Sequence, residues 1–241
     1  MFNKLLLTLR SSLPAACIVC GQAALKDYGI CTECERNMPR LGDCCRCCGV
    51  ELRGAPRLDS CCKLCLRSPP SFDICKAAFP YVTPVDRLVA HFKFSGRFDV
   101  GYSLSRTLAT TFNAHYCEND KPELLLPVPL HSSRLRFRGF NQATEICKVL
   151  SKYCQVATAN SVLCKTRTTE AQTAMTSATA RKSNLRGAFA LRDLNKLKSV
   201  THIALVDDVV TTMATVEILA KLLRSHRKYR IDVWCLARAN L

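Results

Sequence analysis

Residues 203–215, IALVDDVVTTMAT, place two adjacent carboxylates, Asp207 and Asp208, between a β-branched apolar run and a turn rich in hydroxyls. The run Ile203 to Val206 reads as a buried strand, and the segment from about Ala214 to Arg224 has the spacing of an amphipathic helix. In a parallel α/β sheet, ligands sit at the carboxyl ends of the strands, where the two aspartates are expected. A strand end that leads through Thr211, Thr212 and Thr215 into a helix offers an anion backbone N–H groups, hydroxyls and the positive end of the helix dipole. Carboxylates beside an anion repel it unless they serve another part of the ligand, such as sugar hydroxyls or a divalent cation. A sugar phosphate meets both demands. The plainer alternative is a strand ending in an Asp-Asp turn with a threonine as helix N-cap.

The second chemical feature is cysteine. Eleven of the seventeen lie between Cys17 and Cys65 and read as four CxxC pairs: Cys17 and Cys20, Cys31 and Cys34, Cys45 and Cys48, Cys62 and Cys65. Two residues between thiolates let one tight turn aim both sulfurs at one ion, and two such turns complete a tetrahedral S4 site for zinc. Four pairs predict two zinc ions, structural in role because four thiolates leave no open position for a substrate. Cys44 and Cys47 have the spacing of the third pair as well. Cys45 and Cys48 are preferred because Gly49 follows them as Gly21 follows Cys20, and glycine readily takes φ > 0. Sharing of ions between successive pairs needs the shortest loops, while a crossed arrangement stays open. Cys44, Cys47 and Cys61 are left over. Cys75, Cys117, Cys147, Cys154, Cys164 and Cys235 occur singly and are expected in the core, where a free thiol behaves as a small hydrophobe.

These residues need a scaffold to position them. Lys76 to Val82 reads as a strand, Val85 to Phe94 as a helix with Leu88, Val89 and Phe92 inward, and Gly101 to Phe112 as a second helix. Leu124 to Val128 is an apolar strand, followed by a basic loop through Gly139 and a helix from Asn141 to Tyr153. Ile203 to Val206, the helix after Ala214, and Ile231 to Leu236 make a strand, helix, strand unit. The alternation predicts an α/β domain with a mainly parallel sheet. Ser68-Pro-Pro-Ser71 marks an edge between a Cys-rich domain over 1–70 and the α/β domain over 71–241.

The 241 residues, 48% of them hydrophobic and 22% charged, suit a folded chain with a real core. The net charge of +16 favours anionic partners: nucleic acid, a polyphosphate or an anionic surface. In MFNKLLLTLRSSLPAAC the apolar LLLTL is shorter than a secretory core of about 7–15 residues, and Arg10 interrupts it. With no run of about 20 apolar residues to span a membrane, the expected location is the cytoplasm.

Three stretches carry a family resemblance. IALVDDVVTTMAT resembles the phosphoribosyl pyrophosphate (PRPP) signature of type I phosphoribosyltransferases, in which Asp-Asp is followed by a Thr-Thr-Gly-x-Thr loop. The resemblance implies that Asp207 and Asp208 bind the ribose 2- and 3-hydroxyls and that Thr211, Thr212, Met213, Ala214 and Thr215 cradle the 5-phosphate. Met213 stands where the signature has glycine, so its side chain either restricts the loop's φ and ψ or crowds the phosphate. LLLPVPLHSSRLRFRGFNQA, residues 124–143, resembles the PVPLHxxRxxxRGFNQ stretch of the ComF/GntX family, in which a double zinc ribbon precedes a type I phosphoribosyltransferase domain. Residues 167–189 resemble that family's RxxxxQxxLxxxxRxxNxxGAF pattern, with Met175 at the Leu position. This third stretch suits a mobile lid or a helix pair at the domain edge.

The resemblance to the ComF/GntX family implies two readings. In one, the chain is a phosphoribosyltransferase that holds Mg2+ with PRPP while a nucleophile attacks the anomeric carbon and pyrophosphate departs, with Arg134, Arg138 and Arg181 facing the departing charge. In the other, it is a non-catalytic, PRPP-sensing module that binds single-stranded DNA alongside competence and recombination proteins. ComF-like proteins are associated with natural transformation, which joins both readings to DNA uptake. No residue stands out as a general base, and no acceptor is named by the sequence. A zinc-stabilised scaffold without ligand chemistry would leave the Asp207 to Thr215 loop unexplained.

Overall fold

A computed structural model of the chain describes residues 15–24, 29–52, 60–167 and 187–240. The Cys-rich segment holds a two-stranded antiparallel ribbon, β1 (Ala15–Ala16) and β2 (Ala23–Ala24), and two short helices, α1 (Thr32–Asn37) and α2 (Lys63–Arg67). There follow β3 (Ile74–Pro80), α3 (Val85–Phe94), α4 (Phe98–His115), β4 (Leu124–Pro127), α5 (Ser132–Arg138), α6 (Gln142–Cys154) and β5 (Ala157–Thr158). The chain closes with β6 (Leu163–Lys165), β7 (Phe189–Leu191), β8 (His202–Val210), α7 (Ala214–His226) and β9 (Arg230–Arg238).

Five strands form one sheet in the order β3-β9-β8-β4-β5, and every pairing in it is parallel. A parallel sheet is covered on both faces, so its central strands are apolar throughout. In β8 the side chains alternate between two cores with a period of two. Ile203 and Leu205 pack with Val216, Leu219, Ala220 and Leu223 of α7. Ala204 and Val206 face α3, α4 and α6, where Phe92, Leu104, Leu108, Phe112, Ile146 and Leu150 are fully buried. The three residues spaced i, i+4, i+8 in the sequence, Leu104, Leu108 and Phe112, are thus the buried stripe of α4. The architecture is the expected one, an α/β fold with a parallel sheet, preceded by a Cys-rich segment consistent with zinc ribbons.

The strands position the site by outlasting their apolar runs. β8 continues through both aspartates to Val210, paired residue by residue with β9 as far as Arg238. Asp207 and Asp208 therefore lie within the strand and not after its end. The neighbouring β9 supplies ladder partners that carry the extended backbone past the polar pair. The basic stretch expected as a loop is helical: α5 is capped by His131, whose Nδ1 accepts from the Ser133 N–H at 3.3 Å, and stopped by Gly139 at φ 79°. β6 and β7 form a separate antiparallel hairpin beside the sheet.

Tight packing appears where α3 meets α4. A Cβ added at Gly101 would stand 2.4 Å from the buried Phe92 ring. Gly101→Ala is expected to destabilise the fold through overpacking of about 1–3 kcal/mol, despite alanine's better helix propensity of about 1 kcal/mol. A thermal melt in which the variant is as stable as the wild type or more so would contradict this packing. Of the single cysteines, Cys75, Cys147, Cys154 and Cys235 are buried in the core and Cys164 is half-buried. Cys117 is exposed, because it follows α4 where the chain turns across the surface through Glu118–Asp120. Among the described residues, no helix is long and apolar enough to cross a membrane.

Candidate functional site

A cleft of about 720 Å³ opens at the carboxyl ends of β4 and β8. Its floor carries Asp207 and Asp208, one side is the turn from Thr211 into α7, and the other is α5 with the hairpin residue Lys165. Asp207 is half-buried and Asp208 is 8% exposed. Each is tied to the local main chain: Asp207 accepts the Asp208 N–H at 2.8 Å, and Asp208 accepts the Val209 N–H at 2.6 Å. Burial and the charge of Asp208 push the Asp207 carboxyl up to about 7. Lys93, at the end of α3, pairs with Asp208 at 3.1 Å.

Cations surround the carboxylates. Arg134 and Arg138 are one helical turn apart on α5 and both line the cleft, as does Lys165. Burial, then the nearby Arg138, lowers Arg134. Burial, then Arg134 and Arg167, lowers Lys165 to about 8. Burial and like-charged neighbours cost these cations energy that an anion would offset. Arg138 donates to Gln142 Oε1 at 3.1 Å, while the buried Gln142 Nε2, also at the cleft, has no hydrogen-bond partner. A buried donor left unpaired costs about 1–3 kcal/mol, which a ligand oxygen would recover.

The turn after β8 departs from the alternative in which a threonine caps the helix. The residue at the N-cap is Met213, in the left-handed region at φ 64° and ψ 0°, and its side chain makes no capping hydrogen bond. Thr211, Met213, Ala214 and Thr215 line the cleft. Thr212 does not; its hydroxyl is buried without a hydrogen-bond partner. Met213 has taken the backbone conformation for which the signature uses glycine, and its side chain packs against both the sheet core and the second cysteine cluster. Arg181, expected to face the same cleft, lies outside the described residues, as do most of residues 167–189.

The cysteines assemble in two sets of four, Cys17, Cys20, Cys31, Cys34 and Cys45, Cys48, Cys62, Cys65, with all sulfurs of a set within 4.8 Å of one another. Successive pairs meet, and the third pair takes the register that Gly49 suggested, with Gly49 at φ 66°. Tetrahedral zinc with Zn–S of about 2.3 Å has sulfur–sulfur edges of about 3.8 Å. Cys20 and Cys31 are 3.8 Å apart, and Cys48 and Cys62 are 3.7 Å apart. Each set can hold a zinc ion. Burial alone would raise Cys17, but main-chain donors, Cys31 N–H foremost, bring it down to about 6; the Cys62 N–H leads the same effect at Cys45, also about 6. Cys47 and Cys61 sit beside the second set, 3.1 Å from each other.

Among known proteins, no family model matches the chain. It is 33% identical over 226 residues to competence protein F of Haemophilus influenzae, covering 92% of this chain and 96% of that protein. It is 33% identical over 230 residues to the DNA utilization protein YhgH of Escherichia coli K12, covering 94% of this chain and 98% of that one. The chain belongs to the ComF/GntX family.

Within the ComF/GntX pattern, structure separates residues that hold the site from residues that face it. His131 and Asn141 are helix caps; Asn141 accepts the Ala143 N–H at 3.1 Å and donates to Val128 O at 3.0 Å, fixing the strand to α6. Arg134, Arg138 and Gln142 face the cleft. Sequence reasoning missed Lys93 and Lys165. Lys93 follows Val85 and Val89 at helical spacing, at the edge of the inward stripe of α3, and that position was its only signal.

Proposed function

We propose that this chain binds a phosphoribosyl ligand of the Mg2+-PRPP type in the β4/β8 cleft and uses it in the handling of DNA. One observation carries the reading: a buried and a half-buried carboxylate and the N-terminus of α7 face a single cleft whose other wall is cationic. Carboxylates suit a ribose diol, and the first amides of α7 suit a terminal phosphate. Lys93, Arg134, Arg138 and Lys165 suit a diphosphate. Mg2+ carried in with the ligand would neutralise part of that charge. As a transferase, the site would break the anomeric carbon–oxygen bond as an acceptor bond forms. The arginine forks would take the charge that develops on the departing pyrophosphate. The names of the relatives, competence protein and DNA utilization protein, support a setting of DNA uptake or use.

A second reading has its own support. Phe137 on α5 is 85% exposed between arginines, and Phe94 is 68% exposed beneath the Arg138 guanidinium. Exposed rings among cations suit stacking of single-stranded DNA, in a module that senses PRPP without turning it over. Calorimetry and pyrophosphate release decide between the two. We expect heat of binding with Mg2+-PRPP below about 1 mM, and release of pyrophosphate when an acceptor base or nucleic acid is present. Binding without release across a panel of acceptors favours the sensor, and absence of heat removes the PRPP site. Salt-sensitive mobility shifts with single-stranded DNA are expected in either reading.

A further inference from the structure

Two side chains tie the phosphate turn to the second cysteine cluster. Arg238, at the end of β9, is 2% exposed. Its Nε donates to the carbonyl of Cys48 at 2.8 Å, and its Nη1 donates to the carbonyls of Val210, Thr211 and Ala239 at 3.0, 2.6 and 2.6 Å. Cys48 belongs to the second set of four thiols, and Thr211 opens the turn. A buried guanidinium is costly unless its donors are satisfied, and this one spends them on main-chain carbonyls from both sides of the junction. Met213 makes the second tie, with its side chain packed against the buried cluster that Cys45, Cys48 and Cys65 form. Its left-handed backbone costs about 1–2 kcal/mol for a residue with a Cβ, so the turn is held there by packing. The junction has little slack: a Cβ on Gly49 would stand 2.5 Å from the Cys75 carbonyl, and Glu51 and Asn240 exchange hydrogen bonds. The first cluster reaches the rest of the fold differently, through Ile18 and Val19, which pack toward the face of α3 and α4.

We propose that the second cysteine cluster is the back wall of the phosphate turn, with Arg238 and Met213 as positioning residues that make the turn's conformation depend on the four thiolates of that cluster. The ligand consequence rests on the proposed phosphoribosyl reading; the mechanical coupling does not. When the second cluster is intact, the Cys48 carbonyl holds Arg238, and Arg238 holds Thr211. When it opens, Arg238 loses one acceptor and Met213 loses its wall. The turn then leaves its left-handed pose, and the amides at the start of α7 no longer converge on one anion.

The test uses the full chain with Cys65→Ser, which cripples the second cluster, and Cys34→Ser, which cripples the first. Zinc content is measured in each, with amide hydrogen exchange over 210–217 and calorimetric affinity for Mg2+-PRPP. Cys65→Ser is expected to speed exchange over 210–217 and to weaken Mg2+-PRPP by about tenfold or more, and Cys34→Ser to stay within about twofold. Arg238→Lys keeps the charge and both clusters but cannot span the Cys48 and Thr211 carbonyls with one ammonium. It is expected to retain two zinc ions while speeding the same exchange, and it decides the matter if Cys65→Ser does not fold. Equal exchange over 210–217 in wild type and Arg238→Lys, or equal effects of Cys34→Ser and Cys65→Ser, overturns the coupling. If the wild type binds no Mg2+-PRPP, the phosphoribosyl reading fails on its own, and exchange still judges the coupling.

Discussion

Asp207→Asn is expected to raise the melting temperature above pH 7 while weakening Mg2+-PRPP by about 100-fold. Both effects come from one environment. Burial, then the charge of Asp208, lifts the Asp207 carboxyl from its ordinary range to about 7. A carboxyl raised in the folded state favours folding fully below its unfolded value near 4, and that contribution is lost as pH rises through 7. An asparagine keeps the oxygen that accepts the Asp208 N–H at 2.8 Å and removes the charge that burial penalises. The ligand loses a charged acceptor of about 1.5–3 kcal/mol, which is the 100-fold at its upper end. The same titration makes wild-type affinity rise with pH through about 7, and asparagine flattens that rise. Asp208→Asn differs, because it strands Lys93 at a position 18% exposed and is expected to lower the melting temperature. Thermal melts and calorimetry from pH 6 to 8, on the order of one unit either side of the titration, check all of this. An unchanged affinity for Mg2+-PRPP in Asp207→Asn would remove this residue from the ligand site.

What the sequence disclosed follows from how local each signal is. The helix Val85–Phe94 is legible to the residue because its apolar stripe and its cap region lie within ten positions. The two cysteine sets are legible because tetrahedral coordination imposes a spacing that few other functions need. The length of β8 was not legible: two aspartates look like a turn, and only pairing with β9 keeps them extended. The helix α5 was hidden for the opposite reason. It lies on the surface with Leu135 and Phe137 exposed, so it has no buried stripe to announce it. Arg238 was invisible as a structural centre, since a late arginine in sequence gives no sign that the distant carbonyls of Cys48, Val210 and Thr211 meet at it.

Stripping the metal is expected to release two zinc ions per chain and to unfold the segments that carry the two cysteine sets, 17–24, 29–52 and 60–67, while leaving the sheet folded. The reason lies in what fills the Cys-rich segment. The buried centre of the first cluster is Cys17, Ala24, Ile30 and Cys31, and that of the second is Cys45, Cys48 and Cys65. These are small cores in which the thiols are most of the mass, so coordination must replace hydrophobic burial. Structural zinc supplies about 10–16 kcal/mol in isolated zinc fingers, more than such cores can. The sheet has two large cores of its own, whose buried residues run from Phe72 onward apart from Met38, with Ile18, Val19 and Leu41 only packed against them, and it does not need the metal to persist. Acid acts as a chelator does, because thiolates must stay deprotonated to bind. Zinc emission analysis gives the stoichiometry, and limited proteolysis before and after chelation maps what unfolds. A ribbon equally resistant to protease with and without metal would mean that packing alone holds it. The phosphate turn would then have a back wall that no metal controls.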